Sequence, residues 1–109
     1  MQVAPGTYVS NTSTDDWASD PDVPGTEMHE LLHEGGVWAG LTRILDVDGP
    51  ISWTPPQRET IHVLEGAVRI ETAGNVVLDL GPGDIASLPG GVPTTWHVTV
   101  PFKEFWVLA

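Results

Sequence analysis

Short apolar runs, each closed by a turn residue, recur through the sequence from residue 37 to its end. Gly or Pro punctuates most of these runs, and the chain contains 12 Gly and 10 Pro. Val, Ile, Thr and Trp are common within the runs, and these residue types favour extended strands. No run offers a helical apolar stripe of useful length. The pattern therefore predicts an all-β sandwich or barrel. The runs are VWAGLTRIL, TIHVLE, AVRIET, VVLDL, IASL, TTWHVTV and FKEFWVLA.

The length and the local composition of the chain predict its domain organisation. A chain of 109 residues predicts one domain. Residues 1–27 are rich in Thr, Ser, Asp, Pro and Gly, so they are expected to form an irregular lead-in with a short strand at Gly6–Ser10. Residues 28–109 are expected to form the barrel. The acidic lead-in is a candidate arm that crosses to a second copy of the chain.

Charge excludes some classes of partner. The formal net charge is −11, and the chain contains only four Lys and Arg residues. Such a surface repels nucleic acid and anionic membranes, so neither is an expected partner. No membrane span or signal peptide is visible. The chain has no Cys, which excludes disulfides and makes a cytoplasmic location the expectation.

Residues 29–33 spell H-E-x-x-H, which on a helix would place two His on one face to bind zinc. Two Gly follow at once, and each costs about 1 kcal/mol relative to Ala inside a helix. The favoured interpretation is therefore an edge or outer strand with two solvated His. Strand alternation directs His29 and His33 to one face and Glu30 to the other.

Two turn positions carry specific expectations. Gly81–Asp84 reads as a tight turn in which the Asp84 carboxylate hydrogen-bonds the turn backbone. Gly66 links two apolar runs that are expected to pair as a hairpin.

The segment GPGDIASLPGGVPTTWHVTVPFKEFWVLA resembles the second conserved motif of the cupin superfamily. More narrowly, it is similar to the small single-domain cupins grouped with ethanolamine-utilisation and ureidoglycine-aminohydrolase proteins. Upstream, AGLTRIL and RETIHVLEGAVRI resemble the first cupin motif, with Glu59 seven residues before Gly66. The resemblance covers residues 37–108 and implies a double-stranded β-helix, or jelly-roll, barrel. The elements of the second motif are Gly81, Gly83-Asp84, Pro89 to Gly91, Trp96 to Val98 and Lys103.

Most catalytic members of the family hold a metal with three His and one Glu, a donor set that suits Fe, Mn, Ni or Zn. Glu59 stands where the resemblance places the Glu. The His positions hold Trp53 and Pro55 in one register or Ser52 and Thr54 in the other, and the last holds Thr94. Because three of four implied ligands are absent, no tightly held metal and no cofactor are expected.

Glu59 is the candidate general acid or base, because alternation and the resemblance direct it into the barrel. A hydrogen-bonded structural carboxylate is the alternative. His62 and Arg43 are candidate assistants, although strict alternation turns His62 away from Glu59 unless a bulge intervenes. The remaining candidates could contact a ligand, or they could serve only in core packing or in surface salt bridges. The candidate ligand contacts are Trp53, Trp96, Trp38 and Arg58.

These residues leave three functions open. The first is a small cupin that binds a small organic molecule and performs metal-independent proton transfer, as an isomerase, cyclase or lyase does. The second is a non-catalytic metabolite-binding cupin. The third is a metal-dependent enzyme with displaced ligands, which would draw on His29, His33 or His62 together with Glu59.

A homodimer is the expected assembly. Small cupins resembling this chain form dimers, and a barrel of this length buries limited surface on its own. Edge strands that lack a neighbour also favour pairing with a second copy.

Overall fold

The computed structural model describes all residues, 1–109, and contains strands and turns but no helix. No helix long and apolar enough to cross a membrane is therefore present. The strands are Gln2–Ala4 (β1), Thr7–Tyr8 (β2), Ala18–Ser19 (β3), Thr26–Glu34 (β4), Val37–Ile44 (β5), Ile51–Trp53 (β6), Glu59–Thr72 (β7), Val76–Leu80 (β8), Ile85–Leu88 (β9) and Thr94–Leu108 (β10).

Eight strands form one curved antiparallel sheet with the order β3-β4-β5-β10-β7-β8. Strand β6 pairs with the first half of β10, and strand β9 pairs with the first half of β7. Strands β1 and β2 form a separate small hairpin. The all-β prediction is confirmed, and the arrangement is the jelly roll implied by the resemblance.

The two long strands, β7 and β10, form the spine of the barrel. The first half of β10 pairs with β6 and with the second half of β7. The second half of β10 pairs with β5 and with the first half of β7. The register between β7 and β10 shifts between Thr99 and Lys103, opposite Gly66. The expectation of a hairpin at Gly66 was wrong, because β7 continues straight through this residue.

Alternation along β7 and β10 fills the interior with apolar side chains, as a barrel with one buried face requires. On β7, the side chains of Ile61 and Val63 are buried, whereas those of Thr60 and His62, which alternate with them, are exposed. The buried core consists of Ile44, Ile61, Val63, Val68, Ile70, Leu88, Trp96, Phe102, Trp106 and Leu108.

The lead-in is more ordered than expected. It contains three short strands, and the main sheet begins at Ala18 rather than at residue 28. Its middle part folds back over the outer face of its own barrel: Lys103 Nζ donates to the Thr12 carbonyl at 3.0 Å, and Trp17 lies 4.4 Å from the Arg43 guanidinium. This middle part therefore packs against its own chain.

The turn between β8 and β9 has the predicted hydrogen bonds. The Gly81 amide donates to Asp84 Oδ2 at 2.8 Å, and the Asp84 amide donates back to the Gly81 carbonyl at 3.0 Å. Gly83 between them has a φ of +91°, a conformation that costs Gly little and other residues more. The prediction for Asp84 is confirmed.

Candidate functional site

Glu59 begins β7 and faces the barrel interior, where its side chain is buried. Its hydrogen-bond partner is Trp53, whose indole Nε1 donates to Glu59 Oε1 at 2.9 Å. Burial raises the pKa of Glu59, because desolvation disfavours the carboxylate. The Trp53 bond opposes this pKa shift in part, since it stabilises the charged form. Glu59 is therefore a buried carboxyl that can exchange a proton, held by one donor.

Trp53 is fixed in place by the neighbouring strand. Thr94 on β10 pairs with Trp53 across the ladder, and the Thr94 hydroxyl donates to the Trp53 carbonyl at 2.5 Å. Trp96, two residues further and also inward, donates its indole N–H to Thr94 Oγ1 at 2.8 Å. The predicted contacts Trp53 and Trp96 thus lie on the interior side, with both indole N–H groups already used by the protein.

A second interior carboxyl, Glu104, was missed at the sequence level. It lies on β10 between Phe102 and Trp106 in the inward phase, and it is 4% exposed. Its Oε2 atom is buried without a hydrogen-bond partner. Desolvation first, and then the charge of Glu59, raise the pKa of Glu104 well above its usual value. The segment FKEFWVL does indicate its position, because Glu104 alternates in step with Phe102, Trp106 and Leu108 and so points to the same side of the strand.

One end of the barrel carries a group of half-buried and exposed side chains, which we call the rim: Glu30, His33 and Trp38. The His33 ring stacks on Trp38 at 4.7 Å, and Trp38 Nε1 donates to Glu30 Oε1 at 2.9 Å. Trp38 also meets Trp106 of the core edge-on at 5.2 Å. The predicted ligand contact Trp38 therefore lies between the rim and the aromatic interior.

The H-E-x-x-H residues lie on strand β4 and not on a helix. A register shift between Glu30 and Leu32 adds one residue, as a β-bulge does, so that His33 pairs with Trp38 on the face that carries Glu30. The expectation that His29 and His33 share one face was therefore wrong. His29 is also not solvated: it is buried under the lead-in, with ring nitrogens 2.6 Å from Ser10 Oγ and 2.8 Å from the Asp16 carbonyl oxygen.

Three candidates have side chains outside the interior that holds Glu59. His62 is exposed on the outer face, because alternation along the first half of β7 is regular and no bulge turns it inward. Arg43 lies on the outer face of β5, where its Nε bonds Glu27 at 3.0 Å and its guanidinium covers Trp17. Arg58 is exposed and donates to Ser87 Oγ at 3.0 Å. The expectation that His62 and Arg43 assist Glu59 was wrong, because both side chains point to the outer face of their strands.

The interior residues do not fit the metal that the family implies. An indole N–H is a donor only and cannot bind a metal, and Trp53 directs its N–H at the carboxylate oxygen that a metal would need. The structure contains no group of three or more His, Asp or Glu residues that could hold a metal ion. The three His named for a displaced site lie apart, His29 and His62 on outer faces and His33 at the rim.

Known structures share this fold over most of the chain. A Salmonella typhimurium protein proposed as ethanolamine utilization protein Q is 17% identical, with a TM-score of 0.79 over 99% of this chain and 89% of that chain. A Ralstonia eutropha protein proposed as a mannose-6-phosphate isomerase is 20% identical, with a TM-score of 0.69 over 93% and 96%. KdgF from Halomonas sp. is 20% identical, with a TM-score of 0.65 over 85% and 86%.

The sequence matches none of the curated proteins. It does match the EutQ-like cupin domain family over residues 47–105, which is more than half of the chain. The matched range contains Trp53, Glu59 and Glu104, and the jelly-roll barrel agrees with it. The chain therefore belongs to the EutQ-like cupin domain family.

Proposed function

We propose that this protein binds a small organic molecule inside the barrel and moves a proton on it with Glu59, without a resident metal. The observation that carries the proposal is the environment of Glu59: it is buried, its pKa is raised, and Trp53 is its one hydrogen-bond partner. Groups perturbed in this way by burial are typical of catalytic acids and bases.

The geometry supports a simple division of labour. Trp53 holds Glu59 Oε1, which leaves Oε2 free to take a proton from a bound molecule and return it at a neighbouring atom. The surrounding indole rings exclude water, and a carboxylate without water around it is a stronger base. Such proton transfer serves an isomerase, a cyclase or a lyase. The absence of a nearby Lys, Arg or His means that any second group must come from Glu104 or from the bound molecule.

Solvent exchange tests this function even though the substrate is unidentified. We expect the protein in D₂O to introduce deuterium into, or convert, one component of a mixture of small cellular metabolites, as measured by mass spectrometry. Replacing Glu59 with Gln should reduce the rate by at least ~100-fold, the range typical of a general acid or base. His62→Gln, on the outer face of the same strand, should leave the rate unchanged.

Two results would contradict the proposal. One is an exchange rate in Glu59→Gln equal to that of the unmodified protein. The other is activity that disappears with a chelator and returns with added metal. A metabolite that co-purifies unchanged and acquires no deuterium would favour the non-catalytic metabolite-binding function instead.

We also propose that the chain forms a homodimer. The edge strand β8 has a partner on one side only, and its Val76 and Val77 are each 50% exposed. Unpaired edges with apolar side chains favour association. Light scattering should give twice the mass of one chain, and Val77→Lys should shift the protein toward monomer. A monomeric mass for the unmodified chain at micromolar concentration would contradict this.

A further inference from the structure

The cationic side chains of the protein all lie outside the barrel. The chain has four Lys and Arg residues in total. Each has its own partner on an outer surface: Arg43 with Glu27, Arg58 with Ser87, Arg69 with Asp79 and Lys103 with Glu65. Both interior carboxyls, Glu59 and Glu104, are therefore left without a protein cation.

Two buried carboxyls without a cation are an unusual combination. Glu59 is 5% exposed and Glu104 is 4% exposed, and the charge of Glu59 contributes to the raised pKa of Glu104 after desolvation. The Glu104 Oε2 atom has no hydrogen-bond partner. A buried charge is costly unless an opposite charge accompanies it. Burial therefore favours the protonated, neutral form of Glu104, and a positively charged ligand that replaces this proton would find an acceptor already in place.

The aromatic residues around these carboxyls offer faces and not donors. The indole N–H groups are already used within the protein: Trp53 donates to Glu59, Trp96 to Thr94, Trp106 to Thr42 and Trp38 to Glu30. What remains for a ligand is the electron-rich face of the ring, which attracts cations. Sugars and other neutral polyols need directed donors and acceptors, and here the indoles supply none.

We propose that the barrel interior binds a small organic ammonium ion, with Glu59 and Glu104 as counter-charges and the indole faces as walls. This inference rests on the proposed function, since it names the class of molecule that the same interior takes. A metal ion is a poorer occupant, because two carboxylates leave most of its coordination positions without a ligand. A protonated or quaternary amine fits both the charge and the apolar surroundings.

Binding of defined cations tests the inference. The probes are methylammonium, tetramethylammonium and choline, titrated into the ligand-free protein at pH 8 by calorimetry, with tryptophan fluorescence as a second readout. The neutral control is 3,3-dimethylbutan-1-ol, which has the shape of choline without its charge. We expect at least one of the three cations to bind, and choline to bind at least ~10-fold more tightly than this alcohol.

Charge-neutral variants identify the site. Glu59→Gln and Glu104→Gln should each weaken binding of the best cation at least ~10-fold, because each removes a buried counter-charge. Glu71→Gln, an exposed change on the outer face of β7, removes the same charge and should leave affinity unchanged. Circular dichroism confirms that each variant is folded. Equal losses in all three variants would show non-specific attraction to an acidic surface and overturn the inference.

Failure of the inference and failure of the proposed function give different results. If none of the cations binds at millimolar concentration, or if the alcohol binds as well as choline, the ammonium inference is wrong. Glu59-dependent deuterium exchange into a neutral metabolite would then still support the proposed function. Conversely, cation binding that needs both carboxyls, without exchange into any amine, would uphold the inference and turn the barrel into a binding module.

Discussion

Replacing Gly66 with Ala should lower the free energy of unfolding by about 3 kcal/mol or more. Gly66 lies in the middle of β7 with a φ of +75°, where a side chain is strained. A Cβ atom there would also come closer than 3.0 Å to the carbonyl oxygens of Thr99 and Pro101 on β10. These are backbone atoms at the register shift that joins the two long strands, so they cannot rotate away as a flexible side chain would.

Gly35→Ala is the matched control for this change. Gly35 has a similar φ of +62°, but nothing lies within 4 Å of the position that a Cβ atom would take there, in the β4–β5 turn. This variant should lose only the conformational term, about 1 kcal/mol. Urea unfolding followed by tryptophan fluorescence measures both. Equal losses would mean that strain alone matters at Gly66 and that the close approach of β10 does not.

Replacing Glu104 with Gln should stabilise the protein at alkaline pH and have little effect at acidic pH. Burial raises the pKa of Glu104 in the folded state, so the folded protein holds a proton that the unfolded chain releases near its ordinary value of about 4.3. Between those two values the folded state binds more protons, and stability falls as pH rises. The contribution of neutral Glu104 is therefore complete below the unfolded pKa and is lost as pH rises toward the folded pKa.

Because burial raises the pKa of Glu104 in the folded protein, the stability gained by Glu104→Gln relative to the unmodified protein should grow steadily from pH 5 to pH 8. The informative quantity is the difference from the unmodified protein at each pH, because the net charge of −11 makes the whole molecule pH-dependent. Asp48→Asn, which removes an exposed carboxylate that has no ion-pair partner, should give a nearly constant difference. A constant difference for Glu104→Gln as well would show that Glu104 is charged in the folded barrel.

Local chemistry made the strands and one turn predictable. Each predicted apolar run from residue 37 onward lies on a strand, because β-branched and aromatic residues with frequent Gly and Pro leave few other conformations. Asp84 bonds the backbone of its own turn, an interaction between neighbours that needs no distant contact. Regular alternation also contributed to the correct prediction that Glu59 lies inside.

Irregular register was not predictable. The bulge beside Leu31 exchanges the faces of β4 and separates His29 from His33, and nothing in HELLH differs from a regular strand. The shift opposite Gly66 likewise turns an expected hairpin into one long strand. Both depend on which strand lies alongside, since a ladder is a property of two segments.

The sequence by itself determined an all-β fold, because residue type and strand alternation predict it. Its resemblance to the cupins implied the jelly-roll barrel, the inward carboxyl of Glu59 and the loss of the family's His ligands. Only the tertiary structure decided that Glu104 shares the interior with Glu59, that Trp53 donates to Glu59, and that His29 lies under the lead-in. The physical reason is that burial and electrostatic coupling depend on how distant segments pack, which one strand's pattern does not encode.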